Sequence, residues 1–225
     1  MIDRLLRKYG VSPSRVHLRR VNEEFARRVP PGARVLDAAA GDQPYRDLFS
    51  HAQYESADFQ MVDKPYVETT YVCDLRSIPV EAGRFDFIVF NQALEHMPDP
   101  AAVLAELGRV LKPGGQMITT APFFYEEHEV PYDFYRYTQF AYRELFPKAG
   151  LEIERLEWLE GYAATVAHQL QGAARNLPRG LLLSPIRLLF ALLALWFQRM
   201  DLRRPNRGRG YPKNYVVIAT KKAPD

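Results

Sequence analysis

Short apolar runs separated by turn-forming residues are the dominant pattern along this chain. Val35 and Leu36 lie in one such run, residues 33–37, and Phe85–Asn91 and residues 116–121 form two more. Uninterrupted apolar runs of this length are typical of strands that are covered on both faces of a sheet. Four further strands are predicted at residues 54–58, 71–75, 151–159 and 214–221.

Helical periodicity occupies two of the intervals between these runs. In residues 99–111, Leu104 and Leu107 fall on one face, and Asp99 is suited to cap the helix N-terminus. A second helix is predicted over residues 138–149, where Thr138 is the cap. Because strands alternate with helices, we predict an α/β fold with a doubly wound, mostly parallel sheet of seven strands.

The end of the first predicted strand has the composition of a ligand site. Asp37 is followed by small residues as far as Gly41, and small residues allow the backbone to lie close to a bound molecule. Pro44 suits the first position of a short helix. Asp58 ends the next strand, where a carboxylate can accept both hydroxyls of a ribose. A small ligand that contains a ribose is therefore predicted at this edge of the sheet.

Together these segments resemble the class I S-adenosylmethionine-dependent methyltransferases, in the broad group that includes the ubiquinone-pathway C-methyltransferases. The resemblance covers residues 33–160 and the last strand, and it includes the Lys-Pro-Gly-Gly turn at residues 112–115. It implies S-adenosyl-L-methionine as the cofactor and an antiparallel last strand. The family usually has glycine where this chain has Ala39 and Gln43.

The same resemblance assigns roles to particular residues. It places the glycine-rich loop at Asp37–Gly41, which includes Ala39, the ribose acid at Asp58 and the adenine-contacting acid at Asp74. Asn91, at the end of the fourth strand, is the remaining cofactor-binding candidate.

Two segments are candidates for the acceptor side. Glu95 and His96 follow the fourth strand, where they could position the adenosine or the acceptor, or where His96 could simply pack the next helix. The aromatic loop, residues 122–137, resembles a methyltransferase subgroup linked with cell-surface glycan pathways. His128 is its candidate base toward a hydroxyl. Its candidate substrate-binding residues are Tyr132, Asp133, Tyr135 and Arg136.

The aromatic loop has a simpler interpretation as well. It could be self-packed, with Asp133 and Arg136 paired for structural reasons. Residues 126–129 contain three glutamates and a histidine, but four adjacent residues cannot all converge on one ion, so no metal is predicted. The single cysteine, Cys73, excludes an internal disulfide and a multi-cysteine zinc site.

Charge is distributed unevenly over the 225 residues. Residues 1–34 contain nine Lys and Arg against three acids, residues 35–174 contain ten against 22, and residues 175–225 contain eleven against two. The basic flanks could bind an anionic membrane surface, or they could simply neutralise the acidic middle of the chain. No nucleic-acid partner is expected. The predicted divisions are a basic helical segment 1–32, a methyltransferase domain 33–160 plus 214–225, and a helical insertion 161–213.

The insertion contains a long apolar helix. Residues 185–202 would be about 27 Å long if helical, which approaches the length needed to cross a bilayer. A single crossing is excluded because the strands on either side belong to one sheet. We therefore expect peripheral membrane contact through residues 181–209, in which five arginines follow the apolar run at residues 199–209. The alternatives are a homodimer helix and a lid over the active site.

The predicted function is O-methylation of a glycan or another small or lipid-linked acceptor. With no apolar run at the N-terminus, the expected location is the cytoplasm, peripheral on the inner face of the membrane. One rival is C-methylation of a quinone-like lipid. A second is a NAD-binding oxidoreductase, which the missing glycines argue against. A third is a catalytically inactive cofactor-binding or membrane-scaffold module.

Overall fold

Seven strands form one sheet in the computed structural model, which describes residues 12–60, 66–178, 180 and 183–223. The strand order is β3-β2-β1-β4-β5-β7-β6. The strands are β1 Arg34–Ala38, β2 Gln53–Asp58, β3 Tyr71–Val72, β4 Phe85–Asn91, β5 Leu111–Pro122, β6 Leu151–Trp158 and β7 Asn214–Lys221.

Strands β1 to β5 run parallel to one another. Strand β7, which lies between β5 and β6, runs in the opposite direction. Lys221, at the end of β7, donates from Nζ to the carbonyl oxygen of Leu111 at the start of β5, at 2.7 Å. Lys222 N–H donates to the carbonyl oxygen of Gly150, just before β6 begins. Since the end of β7 lies beside the start of both neighbours, β7 is antiparallel to them, as predicted.

Five α-helices and two short 3-10 helices connect the strands within the described residues. The Asp99 carboxylate accepts the Ala102 N–H at 3.0 Å and Thr138 Oγ1 accepts the Ala141 N–H at 3.4 Å, which confirms both predicted caps. The α-helices are α1 Pro13–Ala26, α2 Pro100–Val110, α3 Gln139–Lys148, α4 Tyr162–Asn176 and α5 Ser184–Arg203, and the 3-10 helices are Arg46–Phe49 and Leu94–His96.

Three local predictions require correction. Pro44 does not begin a helix, because the short 3-10 helix starts only at Arg46. Strand β3 ends at Val72, so Asp74 lies in the turn that follows rather than at a strand end. Strand β5 begins at Leu111 instead of residue 116. Leu111 and Gln116 pair with Phe85 and Phe87, so the residues between them form a bulge within the strand.

The basic segment 1–32 was expected to be helical, and α1 covers Pro13–Ala26 of it, while residues 1–11 lie outside the described part of the chain. Helix α1 buries the apolar residues Leu18, Val21 and Phe25. It also buries three polar residues: Ser14, His17 and Asn22.

Both faces of the central strands are covered. Val35 and Leu36 of β1 and Ile88 of β4 are fully buried, as are Leu104 and Leu107 of α2. The burial of both faces explains why these strands lack polar alternation. The sheet therefore has one accessible ligand edge, formed by the carboxyl ends of its parallel strands.

The chain divides into two compact units. The first contains residues up to Leu18 together with Trp158–Asn214, and the second contains Arg19–Glu157 and the residues from Tyr215 onward. Helices α4 and α5 of the predicted insertion pack against each other in the first unit. Within the described residues, no helix is both long and apolar enough to span a bilayer.

Candidate functional site

A cavity of about 220 Å³ lies at the carboxyl ends of β1, β2 and β4, inside the second unit. Its wall brings together residues that the sequence had indicated in five separate segments. These lining residues are Ala39, Gly41, Asp58, Asp74, His96 and Tyr132. The remaining candidates do not line it: Asp37, Asn91, Glu95, His128, Asp133, Tyr135 and Arg136.

Asp58 fastens the loop after β1 to the end of β2. Its Oδ2 accepts the Gly41 N–H at 2.9 Å and its Oδ1 accepts the Gln60 N–H at 2.8 Å. Each carboxylate oxygen has two lone pairs, so one remains on each for a ligand hydroxyl. Asp58 can therefore hold the loop and a ribose at the same time.

Asp74 is held in place by Arg76. The guanidinium donates from Nη2 to Oδ2 at 2.6 Å, and the Arg76 backbone N–H donates to Oδ1 at 2.9 Å. These hydrogen bonds lower the pKa of the Asp74 carboxyl, so it remains an acceptor at any physiological pH. An ionised acceptor at this wall is suited to the exocyclic amine of an adenine.

Left-handed backbone is concentrated at the cavity. Five described non-glycine residues have a positive φ, and four of them line it: Ala39, Gln60, Gln92 and Glu129. A left-handed conformation costs roughly 1–2 kcal/mol in a residue that has a Cβ. Such strain persists where the surrounding structure over-determines it, which is common at ligand sites.

The fifth of these residues, Gln43, explains one departure from the family pattern. It has φ of +52°, so the backbone keeps the conformation that glycine would adopt easily. Its buried amide donates to Glu68 O at 2.8 Å and to Ser56 Oγ at 3.3 Å, and it accepts from Arg46 Nη1 at 3.1 Å. These contacts compensate for the strain and connect the loop to β2.

Asp37 and Asn91 lie behind the cavity wall. The Tyr54 hydroxyl donates to Asp37 Oδ2, and burial raises the pKa of Asp37 to about 7. Asn91 donates from Nδ2 to Asn22 Oδ1 at 2.8 Å, and its Oδ1 accepts from Thr120 Oγ1 at 2.9 Å. Both side chains are engaged with protein groups, which suits a role in shaping the wall.

Glu95 is the most unusual acid in the second unit. It is fully buried, and neither carboxylate oxygen has a hydrogen-bond partner among the described residues. Burial raises its pKa to about 8, so the neutral acid is the main form at pH 7. Its Oε1 lies 3.8 Å from Nε2 of His96.

His96 is oriented by its other ring nitrogen. Nδ1 lies 2.7 Å from Tyr132 O, a contact that requires the proton on Nδ1 and leaves Nε2 as an acceptor. Nε2 also lies 3.9 Å from Glu129 Oε2, and burial lowers the pKa of His96. His96 is thus a neutral base whose lone pair lies close to a protonated acid.

His128 lies against His96 in the aromatic loop, with ring centroids 4.7 Å apart. Its Nδ1 lies 3.1 Å from Asp133 Oδ2 and 3.2 Å from Glu126 O. Arg136 holds Asp133 with two contacts of 2.6 and 2.7 Å, and it keeps the pKa of that carboxyl well below its usual range. The Asp133 side chain is 3% exposed, so this ion pair orients His128 and shapes the loop.

Glu95, His96 and His128 are also a potential metal-ligating group, a set that differs from the run at residues 126–129. Their ligand atoms all lie within 4.8 Å of one another. Ligands about 2.0–2.2 Å from one ion lie about 3.3–3.6 Å apart in a tetrahedral site, so the 3.8 Å between Glu95 Oε1 and His96 Nε2 would have to shorten to hold one. A proton on Glu95 neutralises the buried carboxylate, so the cluster is explained without a bound cation.

Several lining residues were missed by sequence reasoning. Gln60 and Gln92 lie one or two positions after strand ends. That position in the sequence was the signal that could have identified them. Tyr66 and Met97 had no such signal, because loop paths bring them to the cavity. The missed lining residues include Phe59, Gln60, Tyr66, Arg76, Gln92 and Met97.

The cavity fits S-adenosylmethionine in its chemistry. Asp58 and Asp74 place two carboxylates at its wall, which suits hydrogen bonds to ribose hydroxyls and to an adenine amine. At Gly41 a side chain would have open space around it, so the loop leaves room beside the main chain. Ala39, at the family's glycine position, adds only a methyl group.

Comparisons with known proteins agree with this interpretation. A family model described as a methyltransferase domain matches residues 13–156. A ubiquinone/menaquinone biosynthesis C-methyltransferase from Paraburkholderia phymatum is 30% identical over 105 residues, covering 40% of this chain and 43% of the relative. Its counterpart from Burkholderia vietnamiensis is 29% identical over 125 residues, covering 48% and 51%. The chain spans about half the length of these curated relatives.

Solved structures share the fold at low identity. The [4+2]-cyclase SpnF has a TM-score of 0.59 at 19% identity, covering 91% of this chain and 82% of its own. A 1,6-didemethyltoxoflavin-N1-methyltransferase from Burkholderia thailandensis, solved with S-adenosylhomocysteine, has a TM-score of 0.57 at 16% identity, covering 92% and 79%. At these identities the likeness shows the fold alone.

The family match extends over more than half of the chain and includes the cavity, the loop after β1 and Asp58. It also excludes the NAD-binding oxidoreductase alternative. The chain therefore belongs to the methyltransferase-domain family, and specifically to the class I S-adenosylmethionine-dependent methyltransferases.

Proposed function

We propose that this protein transfers a methyl group from S-adenosylmethionine to a hydroxyl oxygen of a glycan or lipid-linked acceptor. The main support is the His128–Asp133 pair, which lies directly against His96 at the cavity wall. A hydroxyl must lose its proton as it attacks, so a histidine oriented by a carboxylate is the group this reaction needs.

The cofactor supplies an electrophilic methyl group on a sulfonium. Asp58 and Asp74 hold the adenosine moiety. The small residues Ala39 and Gly41 allow the rest of the cofactor to lie against the main chain of the loop. The protein thereby fixes the donor and excludes water, which accounts for much of the rate in a displacement of this kind.

On the acceptor side, Asp133 favours the His128 tautomer that carries its proton on Nδ1. Nε2 is then free to take the hydroxyl proton as the new O–C bond forms and the C–S bond breaks. His96 and the neutral Glu95 lie beside this position and complete a polar wall. Arg136 and Asp133 act as positioning residues because their charges are already paired.

The aromatic loop supplies a surface for a ring-shaped acceptor. Tyr125, Phe134 and Tyr135 are each more than a third exposed, although they lie in a well-packed loop. The Tyr135 hydroxyl donates to the carbonyl oxygen of Pro98, a residue of the cavity wall, at 3.2 Å. Exposed aromatic faces next to a cavity are suited to stacking against a sugar ring or an isoprenoid.

A quinone-like acceptor is the second candidate. It is favoured by the C-methyltransferase relatives, which match about half of their own length. A carbon acceptor would also use the aromatic surface, but it loses its proton from carbon after the methyl group has been added.

Labelled S-adenosylmethionine and a membrane lipid extract provide the experiment, with the product analysed by mass spectrometry. We expect an O-methyl ether, and a fall of about 10²–10⁴-fold in turnover for His128→Gln. Cofactor affinity should stay near wild type in the same variant. His51→Gln, at an exposed histidine away from the cavity, is the matched control.

A carbon-methylated ring as the product would replace this proposal with the quinone alternative. If the protein binds the cofactor but methylates nothing in the extract, the inactive binding module is supported instead. Normal turnover in His128→Gln would show that His128 is not the base.

A further inference from the structure

Helix α5 presents its apolar side to solvent. Ile186, Leu189, Leu192, Trp196 and Met200 recur every three or four residues, so they share one face. They are exposed to between 37% and 58%, with Trp196 the most exposed. We call these five residues the apolar face of α5.

The opposite side of α5 is small and polar, and it is the side that is buried. Ala191 and Ala194 are fully buried, and helix α4 contributes Ala163, Ala164 and Ala167 to the first unit's interior. Alanines allow two helix backbones to approach closely. Leu195 is also buried on this side, and Leu188 packs against it, whereas the five residues of the apolar face stay exposed.

Polar contacts also maintain this orientation. Arg187 donates from Nε to Ala174 O at 3.0 Å, which connects α5 to α4. At the other end of the helix, the fully buried Asp201 has its Oδ2 3.1 Å from Nε2 of His17. Separating these buried polar groups would cost free energy, so the apolar face remains outward.

Positive charge accompanies the apolar face. Arg199 and Arg203 are exposed residues on the last turns of α5, and Arg204, Arg207 and Arg209 follow. The segment 161–213 contains nine Lys and Arg residues but only one acid, Asp201. Since Asp201 is fully buried, the described part of this segment exposes no carboxylate.

We propose that the apolar face of α5 and the arginines after it dock on an anionic lipid bilayer, with the helix lying in the interface. An apolar stripe, a tryptophan and adjacent arginines are the features of an interfacial helix. A second copy that docked through the same segment would bring the same positive charge, and the described part of that segment has no exposed carboxylate to receive it. One row of five side chains is also a small area for a stable dimer.

Vesicle flotation without cofactor or acceptor is the experiment, so its result does not depend on the methyl acceptor. We expect wild type to float with vesicles that contain phosphatidylserine, and to bind those made of phosphatidylcholine alone only weakly. Leu189→Ser/Leu192→Ser/Trp196→Ser should abolish flotation. Arg203→Gln/Arg204→Gln should weaken binding by about thirtyfold, in a manner that high salt reproduces.

Phe140→Ser is the matched control, because Phe140 is 71% exposed on α3 of the other unit. It should float as wild type does. Thermal melts of all variants establish that they are folded. We expect them to be, because the substituted side chains are exposed. Wild type that stays at the bottom of the gradient at low salt overturns the proposal. A concentration-dependent dimer that the triple variant disrupts, without flotation, overturns it in favour of a second copy.

Discussion

The backbone N–H of Gly41 donates a 2.9 Å hydrogen bond to Oδ2 of Asp58, 17 residues further along the chain. This bond joins the loop after β1 to the end of β2 at the cavity. The residue proposed to hold the ribose therefore also sets the position of the loop beside it.

Asp58→Ala should lower cofactor affinity at least tenfold. The substitution removes hydrogen bonds to a charged acceptor, each worth roughly 1.5–3 kcal/mol, and it releases the Gly41 N–H. Calorimetric titration with S-adenosylhomocysteine measures the effect. Asp42→Ala, at an exposed acid in the same loop, should bind as wild type does. Unchanged affinity in a folded Asp58→Ala protein would remove Asp58 from the site.

Ala39→Gly and Gln43→Gly should change stability in opposite directions. Both substitutions remove the strain of a residue with left-handed backbone. Glycine also loses more conformational entropy on folding, which lowers stability by about 0.5–1 kcal/mol. For Ala39 we expect a net gain of about 0.5–1 kcal/mol. For Gln43 the lost hydrogen bonds, about 0.5–1.5 kcal/mol each, should outweigh the relief. Urea titrations measure both changes. Destabilisation of Ala39→Gly would show that Ala39 is not strained, and a stabilised Gln43→Gly would show that the Gln43 hydrogen bonds contribute little.

Glu160 should make stability depend on pH. It is fully buried, accepts hydrogen bonds from Ser14 and Asn214, and burial raises its pKa to about 7. Its usual pKa is about 4.3, so between about pH 4.3 and 7 the folded state binds more protons than the unfolded state. The free energy of unfolding therefore falls as pH rises through this interval.

Glu160→Gln should flatten this part of the pH profile. Glutamine keeps the acceptor oxygen and carries no charge, so the variant should exceed wild type in stability at pH 8 by roughly 1–3 kcal/mol. Glu152→Gln, at an exposed position on β6, is the control. A variant as pH-dependent as wild type would show that other carboxyls, such as Asp37, produce the slope.

Chelation should leave methyl transfer intact. The proton on Glu95 accounts for the cluster with His96 and His128, so EDTA should not lower turnover. Glu95→Gln should remain folded and lose stability less than wild type between about pH 4.3 and 8, because glutamine cannot ionise and the pKa of Glu95 in the folded protein is about 8. Loss of activity in EDTA that Zn²⁺ or Mn²⁺ restores would identify the cluster as a metal site instead.

The sequence by itself determined the fold class and the position of several elements. Hydrophobic runs located β4 to the residue, and side-chain caps located the starts of α2 and α3, because both signals depend on neighbouring residues. The apolar composition of α5 predicted its bounds to within one residue. Asp58 was selected because ligands bind at strand ends in parallel sheets, and Asp74 was selected by the family resemblance; both line the cavity.

Only the tertiary structure decided how those elements use their side chains. Asp37 and Asp58 both lie near the carboxyl ends of strands, but Asp37 is buried and accepts from the Tyr54 hydroxyl, whereas Asp58 lines the cavity. Arg187, Ala191, Ala194 and Gln198 form a visible stripe in the sequence, yet nothing local states that this stripe faces inward. That follows from α4, whose Ala174 carbonyl oxygen accepts from Arg187, and from His17, which lies 184 residues from its partner Asp201. Contacts between residues so far apart in the chain have no periodic signal, so packing alone established them.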